Sequence, residues 1–479
     1  MRSVGPRSLC LAALVILIGG MALSASAALR TATSGGYWTN GAIWGGTAPQ
    51  DGDDAVINGG VTVTADVSTA TLNSLTNNGT LVFAGWNTVV TSTTVTVTGT
   101  VTHLPNADTN VSDGWQTDHR VQIVCTNLTV AVGGRIDVNG KGFFGGFGLT
   151  NGFGPGGGAG GVVPHSGGGG SYGGKGGGRS GYPASVSGPV YGSASVADWP
   201  GSGGGCDWAN VTGGAGGGLI QILASGVVTV QGTITANGIA SSSESGGGSG
   251  GGIHIVCDSL AGAGTLSANG GAASSWGGSG GGGRISLDYQ SAAGWAGALQ
   301  AGYGIPVNNS VGHDLGTVWV PDGKLPQNAG AAWYGRICNV TSSSIPVFDL
   351  NGGYVRFEEA ALQLTVASNV SLRASAMLEF PTNGTAAVAV NVGGDLTLSN
   401  GTLSVSAMPT NGAPDYGAFL GVTGTVFVSS NSFIYPYSHP TNGGSVLFRF
   451  GGLTVAAFGR LDADYKGFGG GRYGRPASG

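Results

Sequence analysis

The 479-residue chain carries 99 glycines and 18 prolines, a content at which low-complexity disorder is a serious prior. Its charge argues otherwise: 18 Lys+Arg and 23 Asp+Glu make 9% charged residues and a net of only −5, whereas solvated coils are usually rich in charge. Four lysines and four glutamates cannot clothe many helices, and glycines gathered in runs do not match collagen spacing. The expected class is therefore all-β.

In chain order, residues 1–27 read as a secretory signal: Arg2 and Arg7, an apolar stretch from Leu9 to Leu23, then the small-residue site Ala25-Ser26-Ala27. A membrane anchor fits less well, because the stretch is short and broken by Gly19-Gly20. The mature chain from Ala28 has a net charge of −7 and no later stretch of transmembrane length. Without clustered Lys/Arg, nucleic acid is not an expected partner. Cys10 leaves with the signal; Cys125, Cys206, Cys257 and Cys338 remain. They allow two disulfides in three pairings or buried thiols in apolar strands for Cys125 and Cys257, and the absence of a CxxC argues against zinc.

Residues 28–94 read as N-terminal capping strands. Within them Asp51, Asp53 and Asp54 form a tight acidic cluster that suits either a calcium ion or the polar turn before Ala55-Val56-Ile57. From residue 95 the chain repeats itself. Ile220-Gln221-Ile222-Leu223, Ile253-His254-Ile255-Val256 and Ile285-Ser286-Leu287-Asp288 recur at offsets of 33 and 32, each after a glycine run. Ile234-Thr235-Ala236-Asn237-Gly238 recurs 32 residues on as Leu266-Ser267-Ala268-Asn269-Gly270. Val121 lies 99 residues before Ile220, and Ile136 lies 98 before Ile234, close to three repeats.

Such units predict a parallel β-solenoid, or β-helix, with long Gly-rich loops over 95–300, like residues stacking on like. Asn237 and Asn269 are expected at turns, bonding locally before a glycine of positive φ. The alternative is β-sandwich modules, especially over 340–450 in the second strand-rich region 301–452, because Asn78-Gly79 and Asn400-Gly401 are hairpin dipeptides. The insertion 140–218 is too long for an ordinary connection and is either a functional loop or disordered. Its Tyr172, Tyr182, Tyr191, Trp199 and Trp208 suit sugar stacking, or folding back to order the loop. Residues 453–471 match 128–146 at 12 of 19 positions, so 453–479 reads as the start of a repeated module, apparently truncated.

The segments Gly216-Gly217-Gly218-Leu219-Ile220, the Ala-Asn-Gly turns and Gly280 to Ile285 resemble the Gly-rich β-solenoid proteins that bacteria export to their surface, autotransporter-adhesin passengers among them. The stretch Trp38 to Ile57, with Trp44, Pro49, Gly52, Asp53 and Asp54, is similar to the opening of autotransporter-associated strand repeats and of the eight-glycine domain. The resemblance implies a strand region that starts a solenoid. The chain lacks the alternating ten-residue segments of a terminal membrane barrel.

Catalytic patterns are weak. Three GxSxG matches, around Ser171, Ser249 and Ser279, lack the helix a nucleophile elbow requires. Gly203 to Asp207 is one imperfect calcium repeat. Asp258 and Asp288, with Arg284 nearby, are what a β-helical polysaccharide lyase or hydrolase would use, but their spacing of 30 misses the 32-residue repeat. No role follows for His103 or His439. The expectation is an exported surface or matrix protein, more adhesive than enzymatic, with polysaccharide or other surface proteins as partners and no required cofactor; the alternative is a carbohydrate-active β-helix enzyme or its glycan-binding part.

Overall fold

The computed structural model describes residues 27–467 except 162–165, 182–184, 275, 307–309, 330–331, 381–386, 410–415 and 440–443. The signal through Ser26, Tyr182 and residues 468–479 lie outside the described residues. Among the described residues the chain is all-β: 35 short strands and two single 3-10 turns, Gly41–Trp44 and Val111–Asp113. All but one of the strand pairings are parallel, the exception joining Gly178–Arg179 to Ser310–Val311.

Residues 121–138 show how the sequence makes its unit. Strand Val121–Val130 alternates inward and outward, except at Thr126 and Asn127, which both face solvent. The strand bends there, because two successive outward residues break the period of two. Val121, Ile123 and Cys125 line one inner face, Leu128 and Val130 a second, and Ile136 of strand Arg135–Asp137 a third.

Each face then pairs in register with its successors. One inner column runs Val90, Ile123, Ile222, Ile255, Leu287; a second runs Val95, Leu128, Val228, Leu260. A third runs Val63, Leu81, Val101, Ile136, Ile234, Leu266, Leu299. Strand-favouring β-branched residues dominate these columns, and each buried Ile or Leu contributes about 1.5–3 kcal/mol.

The repeats at 220, 253 and 285 do pair at one phase. The 99-residue offset does not hold two missing levels, however: Ile220 pairs directly with Val121, and Ile234 with Ile136. The residues between leave the ladders and build a separate body against their side.

Further along, Trp333–Cys338, Gly353–Phe357, Met377–Glu379, Thr402–Ser406, Phe433–Tyr437 and Arg460–Leu461 continue one parallel ladder. A nine-stranded parallel sheet supplies the other two faces and ends in Ala418–Val428 and Val446–Val455. Asn78-Gly79 and Asn400-Gly401 close no hairpin. The strands on either side of each dipeptide pair with other levels and not with each other, so the dipeptides are corners. The repeated segment keeps its place: Leu453–Val455 pairs with Val426–Val428 as Leu128–Val130 pairs with Val95–Val97.

The described residues of the insertion form a body of glycine tracts. Gly247 and Gly250 donate to the carbonyls of Gly278 and Gly281 at 2.9 and 3.0 Å, and Gly278 and Gly281 donate to Gly167 and Gly170, both at 2.9 Å. Gly167 and Gly170 in turn donate to Glu244 and Gly247 at 3.0 and 2.9 Å. Three tracts are thus bonded in a ring, and the donor period of three residues is that of polyproline II geometry. Side chains are excluded by contact: a Cβ on Gly204 would sit 2.0 Å from the Gly246 carbonyl oxygen. The glycine runs before each first-face strand, at 246–251 and 277–283, are layers of this same body.

At the N-terminal end, the 3-10 turn tucks Trp44 edge-on against Trp38, ring centroids 4.8 Å apart, with Trp44 Nε1 donating to the Trp38 carbonyl at 3.0 Å. Both rings are buried and close the first levels.

Candidate functional site

The acidic cluster is spent on backbone. Asp53 accepts from the Ala28 and Gln50 N–H groups and pairs with Arg30 at 3.1 Å. Burial opposes its ionisation, but these donors outweigh it and hold its carboxyl below the usual carboxylate range. Asp51 accepts from the Thr71 N–H, and Asp54 from Asn73 and Ser74. The three carboxylates diverge, and among the described residues no three His, Cys, Asp or Glu side chains converge as metal ligands, Asp207 included.

The enzyme candidates fare no better. Asp288 stands opposite Val256, two residues out of register with Asp258, and both are exposed. Arg284 is buried, with its guanidinium donating to the Tyr191 and Gly192 carbonyls and to Thr317 Oγ1. Ser171, Ser249 and Ser279 are buried within the glycine body.

His103 is buried, its Nδ1 2.6 Å from the Leu104 carbonyl and its Nε2 accepting from the Leu219 N–H. Burial pushes it down to about 3, so it is neutral. His439 donates its backbone N–H to Gly444.

All four cysteines are free thiols. Cys125 pairs with Ala224, and Cys257 stands one level beyond. Two ladder spacings of about 4.8 Å separate their backbones, too far for a disulfide.

Of the insertion's aromatics, Tyr172, Tyr191 and Trp199 fold inward. Tyr172 is fully buried, packs on Tyr191 at 4.7 Å between centroids and lies under the Arg284 guanidinium at 5.2 Å. Tyr191 Oη donates to the Pro200 carbonyl, and Trp199 meets Tyr191 edge-on. These rings order the insertion. Only Trp208, 43% exposed, is open among those described.

The sequence missed a different site, at the corner where the third face turns into the glycine body. There each asparagine caps the next level: Asn139 Oδ1 accepts from the Asn237 N–H at 2.6 Å, Asn237 Oδ1 from the Asn269 N–H at 2.7 Å, and Asn269 Oδ1 from the Gly302 N–H at 2.7 Å. Asn269 Nδ2 reaches Gln300 Oε1 at 3.3 Å. These bonds run between levels; Asn269 also bonds locally, its Nδ2 donating to Ser267 Oγ at 3.0 Å, but the following Gly238 and Gly270 do not have positive φ. Glycine is required there because a Cβ would meet the Gly248 and Gly280 carbonyl oxygens, each at 2.1 Å.

Beside this amide ladder lies a groove of about 560 Å³ walled by Asn237, Asn269, Gln300, Tyr303, Ile305 and Tyr334. Tyr334 follows Gln300 in register, as Gln300 follows Ser267 and Thr235, a continuation that could have led from the sequence repeat to the groove. Tyr303 stacks on His313, centroids 4.2 Å apart. Burial, with Tyr334 and Asp314 near, pushes the Tyr303 hydroxyl up, and burial pushes His313 down. No charged side chain lines the groove. A second depression of about 540 Å³, over Phe144, Phe147, Phe153 and Ile239, shares Ala240 with it.

Among the described residues no helix is long and apolar enough to cross a membrane. No curated protein and no solved structure matches the chain. Residues 43–142 match the G8 domain, the eight-glycine domain whose opening the stretch from Trp38 to Ile57 resembles.

Proposed function

We propose that the chain is an exported β-solenoid of the cell surface or extracellular matrix, a structural and adhesive protein and not an enzyme. The observation that carries this reading is one parallel ladder that continues from Gly36–Tyr37 to Arg460–Leu461. Successive levels pair edge to edge along this ladder, so length grows by repetition and the protein acts as a spacer. The lateral glycine body supports it, because it braces several levels of the ladders. The N-terminal signal pattern supports export, and the likeness to autotransporter-type passengers supports a bacterial surface setting.

Expression of the full chain in a bacterial host, followed by antibody labelling and protease shaving of intact cells, tests the location. External, shaveable protein is expected; retention in the cytoplasm overturns the reading. Incubation of the secreted protein with a polysaccharide panel tests the rest, since new reducing or unsaturated ends would make it an enzyme.

A further inference from the structure

We infer that the corner groove is a binding site for a neutral, extended oligosaccharide, laid along the stacking direction across successive levels. This deepens the adhesive part of the function proposed above and gives it a ligand class.

The walls are amides, phenols, backbone and aliphatic groups, and no ionisable carboxylate, ammonium or guanidinium lines them. An anionic polymer would find no counter-charge there, whereas an uncharged ligand loses nothing by that absence. Sugars present hydroxyls at their rims and C–H groups on their faces, so they are held by planar amides beside aromatic rings. Asn237, Asn269 and Gln300 supply the amides, and Tyr303 and Tyr334 supply the rings. Tyr334 is 39% exposed, and Ile305 beside it is 73% exposed.

The groove takes wall residues from four successive levels, at Asn237, Asn269, Gln300 and Tyr334. Beyond Tyr334 the same column continues in register to Tyr354, so a second phenol extends the line by one level. A linear chain of sugars therefore meets a fresh amide or ring at every step. The amides are already fixed, because Asn237 and Asn269 oxygens hold backbone N–H groups and Gln300 Nε2 donates to the Ala332 carbonyl at 3.3 Å. A preorganised wall loses little side-chain freedom on binding. At about 560 Å³ the groove falls within the size range of small-ligand sites. The adjoining apolar depression at Phe147 and Ile239 gives the ligand a place for a methyl-bearing substituent.

The test is isothermal titration of the full chain with cellohexaose, fully N-acetylated chitohexaose and, as the acidic counterpart, hexagalacturonate. Binding of at least one neutral hexamer is expected, with the acidic hexamer at least tenfold weaker. Tyr334→Ala and Tyr303→Ala should each weaken the neutral hexamer at least tenfold with an unchanged melting temperature, and Trp208→Ala should leave it unaltered. Equal or tighter binding of hexagalacturonate, full affinity in both tyrosine variants, or no heat with either neutral hexamer would overturn the inference. These outcomes are independent of cell-surface labelling: a protein found inside the cell that still binds keeps this inference and loses the export reading, and an external protein that fails to bind does the reverse.

Discussion

The Leu219 backbone N–H donates to Nε2 of His103 at 3.2 Å, although the two residues stand 116 positions apart in the chain. Leu219 is where the chain re-enters the ladders after the glycine body, and its N–H would otherwise be buried without a partner, at a cost of about 1–3 kcal/mol. The histidine is thus a clasp on the point of return.

That clasp titrates. The folded protein holds His103 at about 3, against 6.5 for a free histidine, because burial disfavours the charged ring. The neutral form is the one the fold keeps, so its stabilisation is complete above about pH 6.5 and is lost as pH falls toward 3. Unfolding free energy from urea titrations should drop by up to about 1.4 kcal/mol per pH unit in that window. His103→Gln should flatten this part of the profile, and an unchanged slope would mean that the ring is not the titrating group.

The glycine body predicts a contrast between two alanine substitutions. Gly204→Ala drives a methyl into the Gly246 carbonyl oxygen, so it should cost about 3 kcal/mol. Gly148, at φ 58° with open space around its Cβ position, should cost only about 1 kcal/mol as Gly148→Ala, through backbone strain. Thermal melts of the two variants rank the effects; equal losses would show that close tract packing is not the determinant.

The stacked columns predict that Ile234→Ala, between Ile136 and Leu266, costs about 2–5 kcal/mol by cavity formation. Denaturant midpoints of the full chain measure it. A loss below about 0.5 kcal/mol would place this side chain outside the core.

Thiol chemistry gives a fourth check. Burial pushes Cys125 up to about 11 and Cys257 up to about 12, so neither should react with a thiol reagent at pH 8 before unfolding. Intact mass should be the same before and after reduction; a gain of protons on reduction would reveal a disulfide that the folded chain does not make.

The ladders were legible because a residue that must sit on its own kind repeats at the stacking period. Ile220, Ile253 and Ile285 betray their register by identity and spacing. The glycine body was not legible. Its order lives in backbone donors spaced by three, and glycine leaves no side-chain pattern to read, so disorder and tight packing look alike in the sequence. The 99-residue offset misled for the same reason: a length near three repeats is spent in a body that pairs sideways. Tyr172 and Tyr191 suited either sugar stacking or folding back on the loop, and they fold back: a tract without side chains needs rings to close its flank, and Arg284 donates to the Tyr191 carbonyl and lies over the Tyr172 ring. The groove escaped because its rings come from Tyr303 and Tyr334, where the motif has decayed and only the register survives.

The three-residue donor period of the glycine tracts also constrains how such a chain can change length. Adding or deleting one residue rotates every later donor by a third of a turn, toward a different neighbour, and breaks the whole row of bonds. Adding or deleting three restores every donor to a partner and lengthens or shortens the tract by about 9 Å. Natural variation in these tracts should therefore come in triplets, so that the body is a structure counted in threes beside ladders counted in levels.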